Sequence, residues 1–135
     1  MQDKIKVINV GCSNKEGKST LYFMPHNEGL SSLEKTEGAQ EETITLKKLD
    51  NIIKNLEINS SSINVVKIDV EGFELNVLKG SQNILKRGSP FLIIEITDKK
   101  KERPIIEFLR GFGFKNKEIL DGRNFIFVKS KTKLV

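Results

Sequence analysis

Two hydrophobic rhythms run along the chain, one of short apolar runs and one of three-and-four spacing. Ile5-Lys6-Val7-Ile8-Asn9-Val10 is a β-rich run that stops at Gly11, ahead of a polar stretch reaching Gly17. Thr20-Leu21-Tyr22-Phe23 predicts a second short strand, broken at Pro25. Asn27 to Glu42 holds Gly, Ser and five glutamates with few apolar residues, the composition of an exposed loop. Thr43-Ile44-Thr45-Leu46 resumes a strand-like alternation. Leu46, Leu49, Ile52, Ile53 and Leu56 then recur every three or four residues, as an amphipathic helix requires.

The central segment is the most regular. Ile63-Asn64-Val65-Val66-Lys67-Ile68 predicts a buried strand that runs into Asp69-Val70-Glu71-Gly72. Phe73, Val77, Leu78, Ile84 and Leu85 form the stripe of a helix ending near Gly88. Phe91-Leu92-Ile93-Ile94 is a second unbroken apolar run, and it closes on Glu95. Pro104 is placed to open a helix with Ile105, Ile106, Phe108, Leu109 and Phe112 inward, stopped by Gly113. Phe114 to Leu120 and Asn124 to Val128 flank Asp121-Gly122-Arg123, and Asp-Gly between two apolar runs is a strong hairpin signal. Apolar strands without alternation are buried on both faces, and strands alternating with helices make parallel crossovers. The expected fold is therefore α/β, with a mostly parallel sheet finished by a C-terminal antiparallel hairpin.

Length and composition bound this picture. The 135 residues, 37% of them hydrophobic, are those of one domain, with no internal repeat or linker to divide them. The single cysteine, Cys12, and the lack of an apolar leader point to a reducing, cytoplasmic setting. No run approaches the ~20 apolar residues of a membrane span. Charge is uneven: residues 1–98 hold 12 Lys and Arg against 14 Asp and Glu, whereas residues 99–135 hold 11 against 4. The basic third has two readings, a patch for an anionic partner or plain solvation. In the second, Lys99, Lys100 and Lys101 wet a loop and Lys129, Lys131 and Lys133 a frayed tail. No aromatic or Gly-rich motif is interleaved with these lysines, which counts against nucleic acid. A lone histidine, His26, rules out a metal site needing two imidazoles and leaves oxygen-ligand sites open.

Candidate chemistry follows from strand ends, because ligands of open parallel sheets bind beyond the carboxyl ends of the strands. Asp69, Glu71 and Glu95 fall there. Such acids can hold a hydroxyl or a hard cation, or take a proton from a nucleophile. Glu71 has a second reading as a helix cap, since it precedes Gly72 and Phe73. Gly72 permits a sharp turn or the close approach of a ligand. Ser13 and Asn14, after the first run, suit either a purine edge or an ordinary turn. Cys12 reads as a small buried residue with no histidine nearby in sequence to activate it, and His26 as an exposed loop residue.

At these residues the chain resembles a known family. Lys67-Ile68-Asp69-Val70-Glu71-Gly72-Phe73-Glu74, then Val77-Leu78-Lys79-Gly80-Ser81 and Leu85, then the strand ending in Glu95, resemble the FkbM family of S-adenosylmethionine-dependent methyltransferases. Ser13-Asn14-Lys15-Glu16-Gly17, Gly29-Leu30-Ser31-Ser32-Leu33, Thr45-Leu46 with Leu49-Asp50, and Gly111-Phe112-Gly113-Phe114 resemble its pattern in the same order. The resemblance implies a class I methyltransferase, with a Rossmann-like, doubly wound sheet, transferring a methyl group to a hydroxyl of a sugar or secondary metabolite. It implies catalytic roles for Asp69, Glu71 and Glu95 and a cofactor-binding turn at Ser13 and Asn14. The family's first two strands, with the Asp-x-Gly-x-x-x-Gly loop that cradles the cofactor, have no counterpart in the sequence. The expected molecule is accordingly an N-terminally truncated form, completed by a missing N-terminal half or by a second copy. Two other readings stand beside it: a non-catalytic module that binds a partner by an exposed sheet edge or its basic C-terminal tail, and a magnesium or calcium site for phosphoester hydrolysis built on the three acids.

Overall fold

The structure, a computed structural model, describes residues 4–130. Eight strands and four helices follow in the order β1 (Gly11–Cys12), β2 (Gly17–Met24), β3 (Asn27–Ser32), β4 (Gln40–Lys47), α1 (Leu49–Asn55), β5 (Val65–Ile68), α2 (Glu74–Lys79), α3 (Gln82–Arg87), β6 (Phe91–Glu95), α4 (Lys99–Arg110), β7 (Phe114–Leu120) and β8 (Asn124–Lys129), with a 3-10 turn at Ser60–Ser62 between α1 and β5. They form two mixed sheets of four strands, ordered β1-β4-β2-β3 and β5-β6-β8-β7.

The expected mostly parallel sheet is corrected here. Only β1–β4 and β5–β6 run parallel; the β2–β3, β2–β4, β6–β8 and β7–β8 pairs are antiparallel. Parallel pairing needs a long crossover; α2 with α3 supplies it between β5 and β6, and the β2–β3 hairpin lies in the connection between β1 and β4. A short turn joins β2 to β3 as an antiparallel hairpin, and the chain then passes to the other side of β2 to form β4. The Gly- and Glu-rich segment read as a loop contributes β3 and the start of β4, because backbone pairing with β2 does not depend on an apolar pattern. The first apolar run, by contrast, lies outside both sheets: Ile5 and Val7 are exposed, and pairing starts only at Gly11.

One core holds the second sheet and its helices. Ile68, Leu92, Ile94, Phe125 and Phe127 point to one face, against Val77 and Leu78 of α2, Leu85 of α3 and Ile105 and Leu109 of α4. The other face stays open, with Val65 and Phe91 each 54% exposed, so these strands are not buried on both faces as expected, and the packing is two-layered rather than doubly wound. The long central helix is divided into α2 and α3 at Gly80-Ser81. The Ser13 backbone passes so close to Gly80 that a Cβ there would lie 2.2 Å from the Ser13 carbonyl oxygen. Helix α4 begins at Lys99 rather than at Pro104: Asp98 caps it, accepting the Lys100 N–H at 3.0 Å, and Pro104 sits inside.

The C-terminal hairpin is as expected. Asp121 (φ 48°) and Gly122 (φ 73°) both take the left-handed conformation, the geometry that favours Asp-Gly in tight hairpins. Lys129 is not tail: its ammonium donates to the carbonyls of Leu85, Lys86 and Gly88 at 2.7, 3.1 and 3.0 Å, closing the end of α3. Lys131 and Lys133 lie outside the described residues.

Candidate functional site

The carboxyl ends of β5 and β6 bring two of the predicted acids together. The parallel register sets Ile68 opposite Ile94, so the next residues, Asp69 and Glu95, emerge side by side. A side-chain hydrogen bond to Asp69, and then its negative charge, hold Glu95 above the usual carboxylate range; Glu71 pushes the same way and Arg123 opposes. A neighbouring carboxylate disfavours the ionised form, which is the direction seen at Glu95. Sequence reasoning missed Arg123. It sits in the hairpin turn, and its carbonyl accepts the Ile96 N–H at 2.8 Å, which fixes the turn beside Glu95. The usable signal was the Asp-Gly turn itself, since a hairpin docked on β6 must bring its tip to one end of that strand.

Glu71 occupies the left-handed region at φ 45°, followed by Gly72 at φ 99°. A glutamate there costs on the order of 1–3 kcal/mol and persists only where neighbours hold it. Two contacts do so. The Gly72 N–H donates to Oε1 of Glu74, which is itself buried, at 2.8 Å, and Nζ of Lys101 donates to the Gly72 carbonyl at 2.8 Å. Glu71 does not cap α2, whose first turn has no side-chain cap, and its carboxylate is left to the solvent side. Lys101, read from sequence as loop solvation, is instead a brace from α4 to the acid-bearing turn.

Asp69 and Glu71 line a cavity of about 370 Å³ with Gly11 and Cys12 of β1, Val70 and Phe73. Ser31 and Ser32 of β3, with Leu33 just beyond it, complete the lining; the share of β3 does not show in a segment of loop-like composition. Burial raises the Cys12 thiol, keeping it neutral. Cys12 and Val70 also border a second cavity, of about 350 Å³, between α1, β5 and α2. Ser13 and Asn14 follow β1 but line neither cavity. Ser13 is buried, its N–H donating to the Lys47 carbonyl at 3.0 Å and its hydroxyl to Oδ1 of Asn14 at 3.3 Å. Among the described residues no three His, Cys, Asp or Glu side chains are grouped to hold a metal ion. His26 is exposed in the β2–β3 turn.

An acidic cavity at the carboxyl end of a parallel strand, bordered by the Lys67 to Glu74 block, accords with one family. Residues 1–116 match the profile of the methyltransferase FkbM domain. The chain belongs to the FkbM methyltransferase family. No curated protein and no solved structure shows significant similarity to it. In this FkbM domain the matched region takes in both cavities and stops inside β7, so the hairpin that carries Arg123 lies beyond the family match. Among the described residues no helix is long and apolar enough to cross a membrane.

Proposed function

We propose that this FkbM domain transfers a methyl group from S-adenosylmethionine to a hydroxyl of a sugar or secondary metabolite. The observation that carries the reading is the 370 Å³ cavity in which Asp69 and Glu71 stand at the end of β5 opposite β1. A volume in the ~300–1,000 Å³ range suits a nucleoside-sized ligand. The chemistry of the lining also suits it: Gly11, Cys12, Val70 and Phe73 offer apolar walls, and carboxylates at the rim favour a cation. When bound, S-adenosylmethionine supplies a methyl group carried on a positively charged sulfur.

The chain's own residues have the remaining work. Glu95, raised above the usual carboxylate range by Asp69 beside it, holds a proton more readily than an ordinary carboxyl. Asp69 can accept the hydrogen bond of an acceptor hydroxyl and take its proton as the oxygen becomes nucleophilic. Alignment of that oxygen contributes more than the base does, since well-placed reactants gain ~7–11 kcal/mol from lost freedom already accounted for in binding. Isothermal titration of the chain with S-adenosylmethionine is expected to give binding weaker than micromolar, because the Asp-x-Gly-x-x-x-Gly loop has no counterpart in the sequence, and weaker still when Asp69→Asn is introduced. Absence of binding at millimolar ligand would overturn the proposal.

A second reading has its own observation. Strand β5 pairs only with β6 among the described residues, and Val65 and Phe91 are exposed beside that free edge. An unpaired edge next to apolar side chains favours strand addition by a partner or a second copy. Light scattering over a concentration series is expected to reveal self-association on this reading, and a monomer at every concentration would remove that version of it.

A further inference from the structure

Glu71 borders more than the cavity beside Asp69. On its other side lies a separate hollow of about 230 Å³, lined by Tyr22, Ser31, Ser32, Thr36 and Glu71, with Met24 and Ala39 as its apolar part. The two hollows share Ser31, Ser32 and Glu71 and so form one groove that runs from the Asp69 side across the first sheet. We infer that the hollow between Tyr22, Thr36 and Glu71 is the acceptor subsite, and that it takes an uncharged, hydroxyl-rich group such as a glycosyl residue. The inference rests on the methyltransferase reading for its chemistry, yet its binding test needs no cofactor.

The composition of the lining decides the ligand class. Tyr22, Ser31, Ser32 and Thr36 line the 230 Å³ hollow and all carry hydroxyls, which can both donate and accept as a sugar hydroxyl does; that of Ser32 also accepts the Glu34 N–H at 3.0 Å. Tyr22 adds a half-buried aromatic ring, which can cover the apolar face of a pyranose while its oxygen stays polar. The carboxylate of Glu71 can accept from two neighbouring hydroxyls at once, which would orient a ring in the groove. Charge then excludes anions. Glu71 is the one charged residue among those that line the hollow, so a phosphorylated sugar would meet a carboxylate there and no lining cation. The left-handed backbone at Glu71 acquires a purpose in this arrangement, since it sets one side chain at the junction of both hollows.

Tyr22 makes the test direct. The chain has one tyrosine and no tryptophan, so intrinsic emission reports on this groove alone. Titration with a panel of neutral methyl glycosides is expected to change Tyr22 emission saturably in the millimolar range for at least one member. Glu71→Gln and Thr36→Val are expected to weaken that binding at least tenfold, while the 6-phosphate of the same sugar binds at least tenfold more weakly than the neutral form. Thr36 lies on a surface loop, so its variant reads the contact even where a change at Glu71 disturbs the turn. No saturable change with any member, binding unaltered in both variants, or equal binding of the phosphorylated sugar would each overturn the inference. Failure to bind S-adenosylmethionine with glycoside binding intact would instead count against the cofactor reading alone.

Discussion

The ammonium of Lys101 donates to the carbonyl of Gly72 at 2.8 Å, joining the first turn of α4 to the turn that carries Asp69 and Glu71. Cations in a first helical turn oppose the helix dipole, and Lys99, Lys100 and Lys101 all stand there. For Lys101 the bond to Gly72 offsets that disadvantage. Lys101→Met is expected to lower stability by about 1–2 kcal/mol, as loss of a half-buried charged hydrogen bond does. Gly72→Ala should cost a similar amount, because a Cβ would sit 2.7 Å from the Lys101 nitrogen at a φ of 99°. Urea unfolding measures both, and a Gly72→Ala protein as stable as the parent would contradict the account of the turn.

Asp50 ties α1 to the corner between α2 and α3. Its N–H donates to the Gly80 carbonyl at 3.0 Å, and its carboxylate accepts from the Asn83 and Ile84 N–H groups at 2.9 and 3.3 Å. Ser81 occupies the N-cap position of α3, but its hydroxyl donates back to the Val77 carbonyl at 2.7 Å, so a residue 33 positions away does the capping. Asp50→Ala is expected to cost about 1–2 kcal/mol, the usual loss for a cap, and Asp50→Asn less. Thermal melts compare the three proteins.

Asp50 and the acids also mark what the sequence could and could not reveal. Asp69 and Glu95 were legible because each follows a β-rich, largely apolar run, and parallel neighbours set such ends side by side. The Asp121-Gly122 turn was legible because both residues tolerate positive φ. The cap from Asp50 was not, since nothing local links it to Ser81. Strand β3 was hidden by its polar composition, and with it the share of Ser31 and Ser32 in the groove. The start of α4 was misjudged by weighing Pro104 above the Asp98 cap, a signal that was present. The open face of the second sheet could not be read from apolar runs alone, which do not say how many layers cover them.

Lys129 closes the carbonyl end of α3 with three hydrogen bonds and lies 5.7 Å from the centre of the Phe114 ring. A cation at a helix C-terminus satisfies orphan carbonyls and opposes the negative end of the dipole. Lys129→Met keeps the length of the side chain and removes every donor. A loss of about 2 kcal/mol is expected, and hydrogen exchange should become faster at the amides of α3 ahead of the rest of the core. Unchanged protection in α3 would show that the helix end does not depend on this contact.

Glu95 gives the chain a stability slope of unusual sign for a carboxylate. Its neighbour Asp69, by hydrogen bond and by charge, raises it above the ordinary range in the folded state, with Glu71 adding to the effect and Arg123 reducing it. An acid with a raised folded pKa binds more protons when folded than when unfolded across the interval between the two values. Stability contributed by Glu95 is therefore present below its unfolded pKa and is lost as pH rises through its folded one. Carboxylates with lowered folded values, such as Glu16 and Asp121, act in the opposite direction and lose their contribution as pH falls. Glu95→Gln removes the repulsion without removing the hydrogen bond to Asp69, so the variant is expected to be the more stable protein above the carboxylate range, with the difference shrinking on acidification. Denaturant titrations of both proteins at a series of pH values check the sign. A variant that loses stability relative to the parent as pH rises would mean that Asp69 does not raise Glu95 in the folded chain.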